Sequence, residues 1–223
     1  MTLTRTSLMS PAGHASARRH SGLLAIAGIA IAVLIIAAAL VSTGPGLGGW
    51  RNATHLTARF SALLFLVVFV SGALARLAPG DATRTLLRER RGVGLGFAGA
   101  HFVHLGAVVT YLSMGGSMPP IFVPVLGGFG YVLIALMAMT SNDWSVRALG
   151  RNWKRLHMFG VSYLWLAFAF NYAGPLARPG LHDPVYYLMS ALFLSALAVR
   201  LLCRARFIAQ GKETSARTIE RSL

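Results

Sequence analysis

Six long apolar stretches, each bounded by glycine or proline breakers, leave few folds open to this sequence. They run over about 23–42, 56–78, 93–114, 121–140, 156–173 and 184–203. Each approaches the about 20 mostly apolar residues that an α-helix needs to cross ~30 Å of hydrocarbon. Gly44-Pro45-Gly46 closes the first stretch, Pro79-Gly80-Asp81 the second, Met118-Pro119-Pro120 the third and Gly174-Pro175 the fifth; Asp183-Pro184 opens the last. Water is absent from the bilayer core, so such segments must satisfy their backbone groups internally, as helices. The pattern predicts an all-α integral membrane protein, a six-transmembrane-helix bundle with both termini in the cytoplasm (N-in/C-in). Residues 1–22 form the expected cytoplasmic N-tail, 23–203 the membrane domain and 204–223 the cytoplasmic C-tail.

Composition agrees with the pattern. Of 223 residues 55% are hydrophobic and only 12% charged, against about a quarter charged in soluble domains. The net charge of +15 would suggest nucleic acid in a soluble chain. Here the basic residues flank apolar spans instead of forming an aromatic-interleaved patch, which excludes a nucleic-acid reading and makes the lipid bilayer the expected partner. One cysteine, Cys203, cannot form an internal disulfide and says little about redox compartment.

Orientation follows from the loops. Arg5, Arg18 and Arg19 precede the first span. Arg76, Arg84, Arg88, Arg90 and Arg91 fall around the second loop, and Arg147, Arg151, Lys154 and Arg155 in the fourth. Six more basic residues, from Arg200 to Arg221, gather at the C-terminal end, whereas Arg51, Arg59 and Arg178 stand on the other side. The positive-inside rule places the richer side in the cytoplasm. The first span resembles a signal peptide in its flanking Arg18-Arg19 and its Ala37-Ala38-Ala39. Its apolar run exceeds the usual signal core of about 7–15 residues, so a retained helix is expected. Both tails are expected to be disordered or weakly helical.

Ionisable side chains inside membrane helices are costly and point to function. His101 and His104 fall near the middle of the third span and His157 in the first turns of the fifth; His14, His20, His55 and His182 belong to tails or loops. Positions i and i+3 share a helix face, and imidazole is both a common metal ligand and an axial ligand of haem iron. Two facing helices would supply the two axial ligands. At ~1.5 Å per residue, the depths of His101 and His157 differ by about 6–9 Å, and His104 lies farther still. Packing or interhelical hydrogen bonding by these histidines is the competing reading, contributing about 0.6 kcal/mol each.

Other features carry less. Gly94-Leu95-Gly96-Phe97-Ala98-Gly99 matches GxGxxG, but no strand precedes it and an apolar helix runs through it. The same glycines, with Gly92 and Gly96 as a GxxxG pair, read better as close helix packing, or equally as room for a flat macrocycle. Met114, Met118, Met137 and Met139 are capable haem ligands but ordinary filler. Tyr163, Trp165, Tyr172, Tyr186 and Tyr187 read as belt or packing residues. Asp and Glu are absent from the spans, which argues against a carboxylate proton relay.

Two runs carry a family resemblance. The first is Arg90-Arg91-Gly92-Val93-Gly94-Leu95 followed by a mid-helix histidine. The second is Thr140-Ser141, Arg147-Ala148-Leu149-Gly150 and Trp153-Lys154-Arg155-Leu156-His157. Together they resemble the ferric reductase-like transmembrane domain, over about 56–203. That group includes the haem-binding membrane subunit of bacterial methionine sulfoxide reductase systems and the membrane domains of NADPH oxidases. The resemblance implies a six-helix bundle holding b-type haem between the third and fifth helices. Aligned on the double arginine, His104 matches the third-helix histidine and His157 the first histidine of the fifth helix, with His101 an added candidate. A further fifth-helix histidine usual in the group is replaced here by Phe170 and Asn171, and the outer end of the third span reads Met114-Gly115-Gly116-Ser117-Met118. One haem on the cytoplasmic side is therefore expected, held by His157 with His101 or His104.

The expected function is that of a cytochrome b-type membrane electron-transfer protein, ferric reductase-like, in the bacterial inner membrane. Only about twenty residues follow the last span, so the electron donor is expected to be separate: a cytoplasmic flavoprotein, bringing its own flavin, or a membrane quinone. A periplasmic acceptor would complete the chain. The rival is a haem-free six-span membrane protein that binds a partner subunit or small solute.

Overall fold

A computed structural model describes residues 11–177 and 183–220, and side chains within them except at 11–19, 122 and 211–220. Arg5, Arg178 and His182 lie outside the described residues. All described regular structure is helical: α1 (Pro11–Thr43), α2 (Leu47–Leu77), α3 (Asp81–Ser113), α4 (Phe122–Met139), α5 (Asp143–Leu149), α6 (Arg151–Ala173), a 3-10 turn (Gly174–Ala177) and α7 (Pro184–Glu220). Each expected span has its helix, and the breakers fall between them. Gly44 follows α1 at φ +82°, a left-handed conformation that a side chain would strain. The Asp183 side chain accepts a hydrogen bond from the Val185 amide at 2.9 Å and so caps α7.

The helices extend beyond the apolar stretches. α1 begins at Pro11 and α7 runs to Glu220, so much of both tails is helical. His55 lies in α2, not in a loop, because α2 starts at Leu47. Among the described residues four helices, α1, α2, α3 and α7, are long and apolar enough to cross a membrane. A fifth crossing is counted if α4 and α5 form one span, although they are bent by 103° at their break. The bend has a local cause: the Asn142 side chain accepts the Ser145 amide at 2.7 Å, starting a new helix in a new direction. The apolar run of α6 is diluted by His157, Ser162, Tyr163, Trp165 and Asn171, and α6 does not meet the same standard.

The chain forms two compact units. One comprises residues up to Ser61 with Arg91–Gly115; the other comprises Ala62–Arg90 with the chain from Gly116 onward. In the first, α1 and the middle of α3 touch backbone to backbone. A Cβ at Gly28 would sit 2.7 Å from the Gly96 Cα, one at Gly92 2.7 Å from the Ser21 Cα, and one at Gly96 2.9 Å from the Leu24 carbonyl. These glycines are therefore a small-residue helix contact. The alternative of room for a macrocycle at Gly92 and Gly96 is corrected: α1 fills that space.

In the second unit the later half of α2, α6 and α7 meet at an aromatic core. Phe65 packs on Phe168 and Phe193 at centroid distances of 5.3 and 6.3 Å, and Phe69 stacks on Trp165 at 6.2 Å. The Trp165 indole N–H donates to the Phe193 carbonyl at 3.1 Å, tying α6 to α7. The Tyr163 hydroxyl donates to the Leu126 carbonyl at 2.7 Å, tying α6 to α4. Trp165 and Tyr163 are thus packing residues with a polar anchor.

Candidate functional site

In the first unit His101 and His104 share a face of α3, their rings 5.3 Å apart by centroid. Thr57 and Ser61, one turn apart on α2, are fully buried and meet them in register. Thr57 Oγ1 lies 3.0 Å from His104 Nδ1, and Ser61 Oγ lies 2.9 Å from His101 Nδ1.

The two hydroxyls have a second partner each. The Thr57 hydroxyl donates to the Ala53 carbonyl at 2.7 Å, and the Ser61 hydroxyl to the Ala58 carbonyl at 3.0 Å. When the hydroxyl hydrogen stays on its own helix, the oxygen accepts from the imidazole and Nδ1 carries the proton. In that tautomer the basic nitrogen of each ring is Nε2, the atom through which histidine commonly ligates metals.

His157 reaches the same form differently. Its Nδ1 lies 3.1 Å from the Trp153 carbonyl one turn earlier, and a carbonyl can only accept. Trp153 also stacks on the ring at 4.0 Å between centroids and 27° between planes, while its own indole N–H donates to the Thr140 carbonyl at 2.9 Å. The ring is held on one face and at one nitrogen. Its Nε2 is buried and makes no hydrogen bond; the nearby Met137 carbonyl acts on the ring without meeting hydrogen-bond geometry. A buried imidazole nitrogen with its lone pair unused is costly unless something binds it. The donor chemistry of His157 therefore fits an axial ligand of haem.

The methionines are not placed as ligands. Met137 packs its sulfur against Gly160, where a Cβ would come within 2.6 Å, and Met139 and Met118 are exposed. Among the described residues no three of His, Cys, Asp and Glu gather as a metal site. Thr57 and Ser61 were missed in the sequence. The signal for them was faint: two small hydroxyl residues at i and i+4 in an apolar run, matching the i, i+3 pair of histidines.

The chain is similar to haem-binding subunits of a reductase. Proteins named protein-methionine-sulfoxide reductase heme-binding subunit MsrQ, from Brucella ovis, Brucella canis and Brucella suis, are 32% identical to it over 125 residues. The match covers 51% of this chain and 54% of each relative, so the chain spans about half the length of the curated relatives it matches. These names agree with the resemblance to a haem-binding membrane subunit read from the sequence. No family model matches the chain, and no solved structure matches it.

Proposed function

We propose that this chain is a membrane electron-transfer subunit that binds one b-type haem through His157 and either His104 or His101. The observation that carries the reading is His157 itself, with Nδ1 tied to the Trp153 carbonyl, the ring stacked on Trp153, and a buried Nε2 lacking a partner. The similarity to proteins named as haem-binding subunits supports it. The pairing of His157 with an α3 histidine comes from the family resemblance. The reading takes the chain as six spans, N-in/C-in, in a bacterial inner membrane.

Haem, when bound, would supply one-electron chemistry at a potential set by its ligands and surroundings. The chain's residues orient and insulate. Thr57 and Ser61 orient the α3 imidazoles through Nδ1, and Trp153 fixes the plane of His157. With no carboxylate in the spans, these residues offer no carboxylate path for protons alongside the electron. The electron would come from a separate cytoplasmic flavoprotein or a membrane quinone and leave to a periplasmic acceptor.

The test is the visible spectrum of the purified full-length chain. The expected result is a Soret band with a reduced α-band of b-type haem, lost or shifted in His157→Ala and in one of His104→Ala and His101→Ala. A colourless protein from haem-replete cells, or an unchanged spectrum in all three variants, would refute the reading and favour the haem-free alternative.

A further inference from the structure

The second unit contains a cleft of about 630 Å³ that the haem reading does not use. Its aromatic floor is Phe69 and Trp165, and four arginines reach it from three helices: Arg76 from α2, Arg90 from α3, and Arg200 and Arg204 from α7. Arg200 lies over the Phe69 ring at 4.2 Å and Arg76 over Phe207 at 5.2 Å. Arg90 and Arg200 are half-buried and repel one another electrostatically. Among the described residues no carboxylate lines the cleft and none of the four arginines forms an ion pair.

Partly desolvated like charges are unfavourable without a counter-anion. The aromatic faces offset some of that cost by cation–π attraction but neutralise no charge. Four converging guanidinium groups suit the oxygens of a phosphate, which arginine grips in bidentate fashion. The remaining wall is apolar and open to the outside: Leu201, Phe207 and Ile208 are each more than half exposed. A free inorganic anion would leave that wall uncovered, whereas a phospholipid would place its headgroup on the arginines and an acyl chain along α7. The volume suits a headgroup, since ligand sites run to about 300–1,000 Å³.

We propose that this cleft is a binding site for an anionic phospholipid, its phosphate held by Arg90 and Arg200 and its acyl chain lying along Leu201, Phe207 and Ile208. The lipid site does not require haem, although Arg90 also acts electrostatically on His157, which is why haem content is followed in the test.

The test is native mass spectrometry of the full chain in detergent, titrated with phosphatidylglycerol and, separately, phosphatidylcholine. The wild type should retain phosphatidylglycerol preferentially. The preference should fall about fivefold for each arginine replaced in Arg90→Gln, Arg200→Gln and the double variant. Arg84→Gln and Arg88→Gln, on α3 outside the cleft, should leave it unchanged. Should the double variant fail to fold, Arg76→Gln and Arg204→Gln at the exposed rim provide the same series. Equal retention of both lipids by the wild type overturns the proposal, as does an unaltered preference in the cleft variants. Displacement of the lipid by millimolar inorganic phosphate would assign the cleft to a free anion. Loss of haem from the arginine variants with unchanged lipid retention would assign the arginines to a haem propionate. Either result overturns the lipid site.

Discussion

Thr57→Val removes one hydroxyl from a fully buried position and leaves side-chain shape nearly intact, so its effect isolates a single interhelical hydrogen bond. The bond joins Thr57 Oγ1 to His104 Nδ1 at 3.0 Å. Interhelical hydrogen bonds in membrane proteins contribute about 0.6 kcal/mol on average and about 1.7 at most. The Thr54 carbonyl also acts on the His104 ring and offers its N–H a fallback, which places the expected cost at the lower end. About 0.6 kcal/mol is roughly a threefold change in the unfolding equilibrium. The effect on haem should be far larger if His104 is the ligand, because losing the group that orients a ligating histidine weakens metal sites by about 10–100-fold. Detergent-driven unfolding followed by circular dichroism reads the first quantity, and haem retention after dilution reads the second. Ser61→Ala is the matched experiment for His101, with its 2.9 Å contact. One variant should lose haem while the other keeps it, and the sensitive one names the α3 ligand. If both retain haem as the wild type does, and a Thr57–His104 double-mutant cycle shows no coupling, the orienting role assigned to these hydroxyls is wrong.

Two further outcomes follow from the geometry. Gly96→Ala would place a Cβ 2.9 Å from the Leu24 carbonyl, where rigid backbone must shift; overpacking of this kind costs about 1–3 kcal/mol. Gly94→Ala, with nothing within 4 Å, should melt at or above the wild-type temperature, and equal melting temperatures for the two variants would refute the α1–α3 contact. Trp153→Ala removes the stack on His157, and haem retention should fall about tenfold or more while helical content stays constant by circular dichroism. Unchanged retention would mean that Trp153 does not hold the ligand.

Much of the architecture was legible before any coordinates. A run of apolar residues as long as a bilayer is thick admits one backbone conformation, and Gly44, Gly80 and Pro184 mark ends that the helices respect. Of the two expectations for the tails, disordered or weakly helical, the structure takes the helical one, because helix ends depend on continuity with a stable helix as well as on local polarity: α1 and α7 propagate past their apolar cores. His55 was misplaced for the same reason. The glycines at 92 and 96 admitted two readings, and only the placement of α1 chose between them, since a sequence does not say what fills a groove.

The site divides along the same line. Sequence by itself singled out the candidate histidines, because ionisable residues in apolar helices are rare and expensive, and it set their spacing on α3 and α6. Tertiary structure decided their state. The partner of each Nδ1 is contributed by another helix at His101 and His104, where it orients the ring, and by a backbone carbonyl at His157, where it requires the proton on Nδ1. The arginine cleft is wholly a product of folding. Arg76, Arg90, Arg200 and Arg204 read in sequence as topology signals at separate helix ends, and only packing makes their charges neighbours.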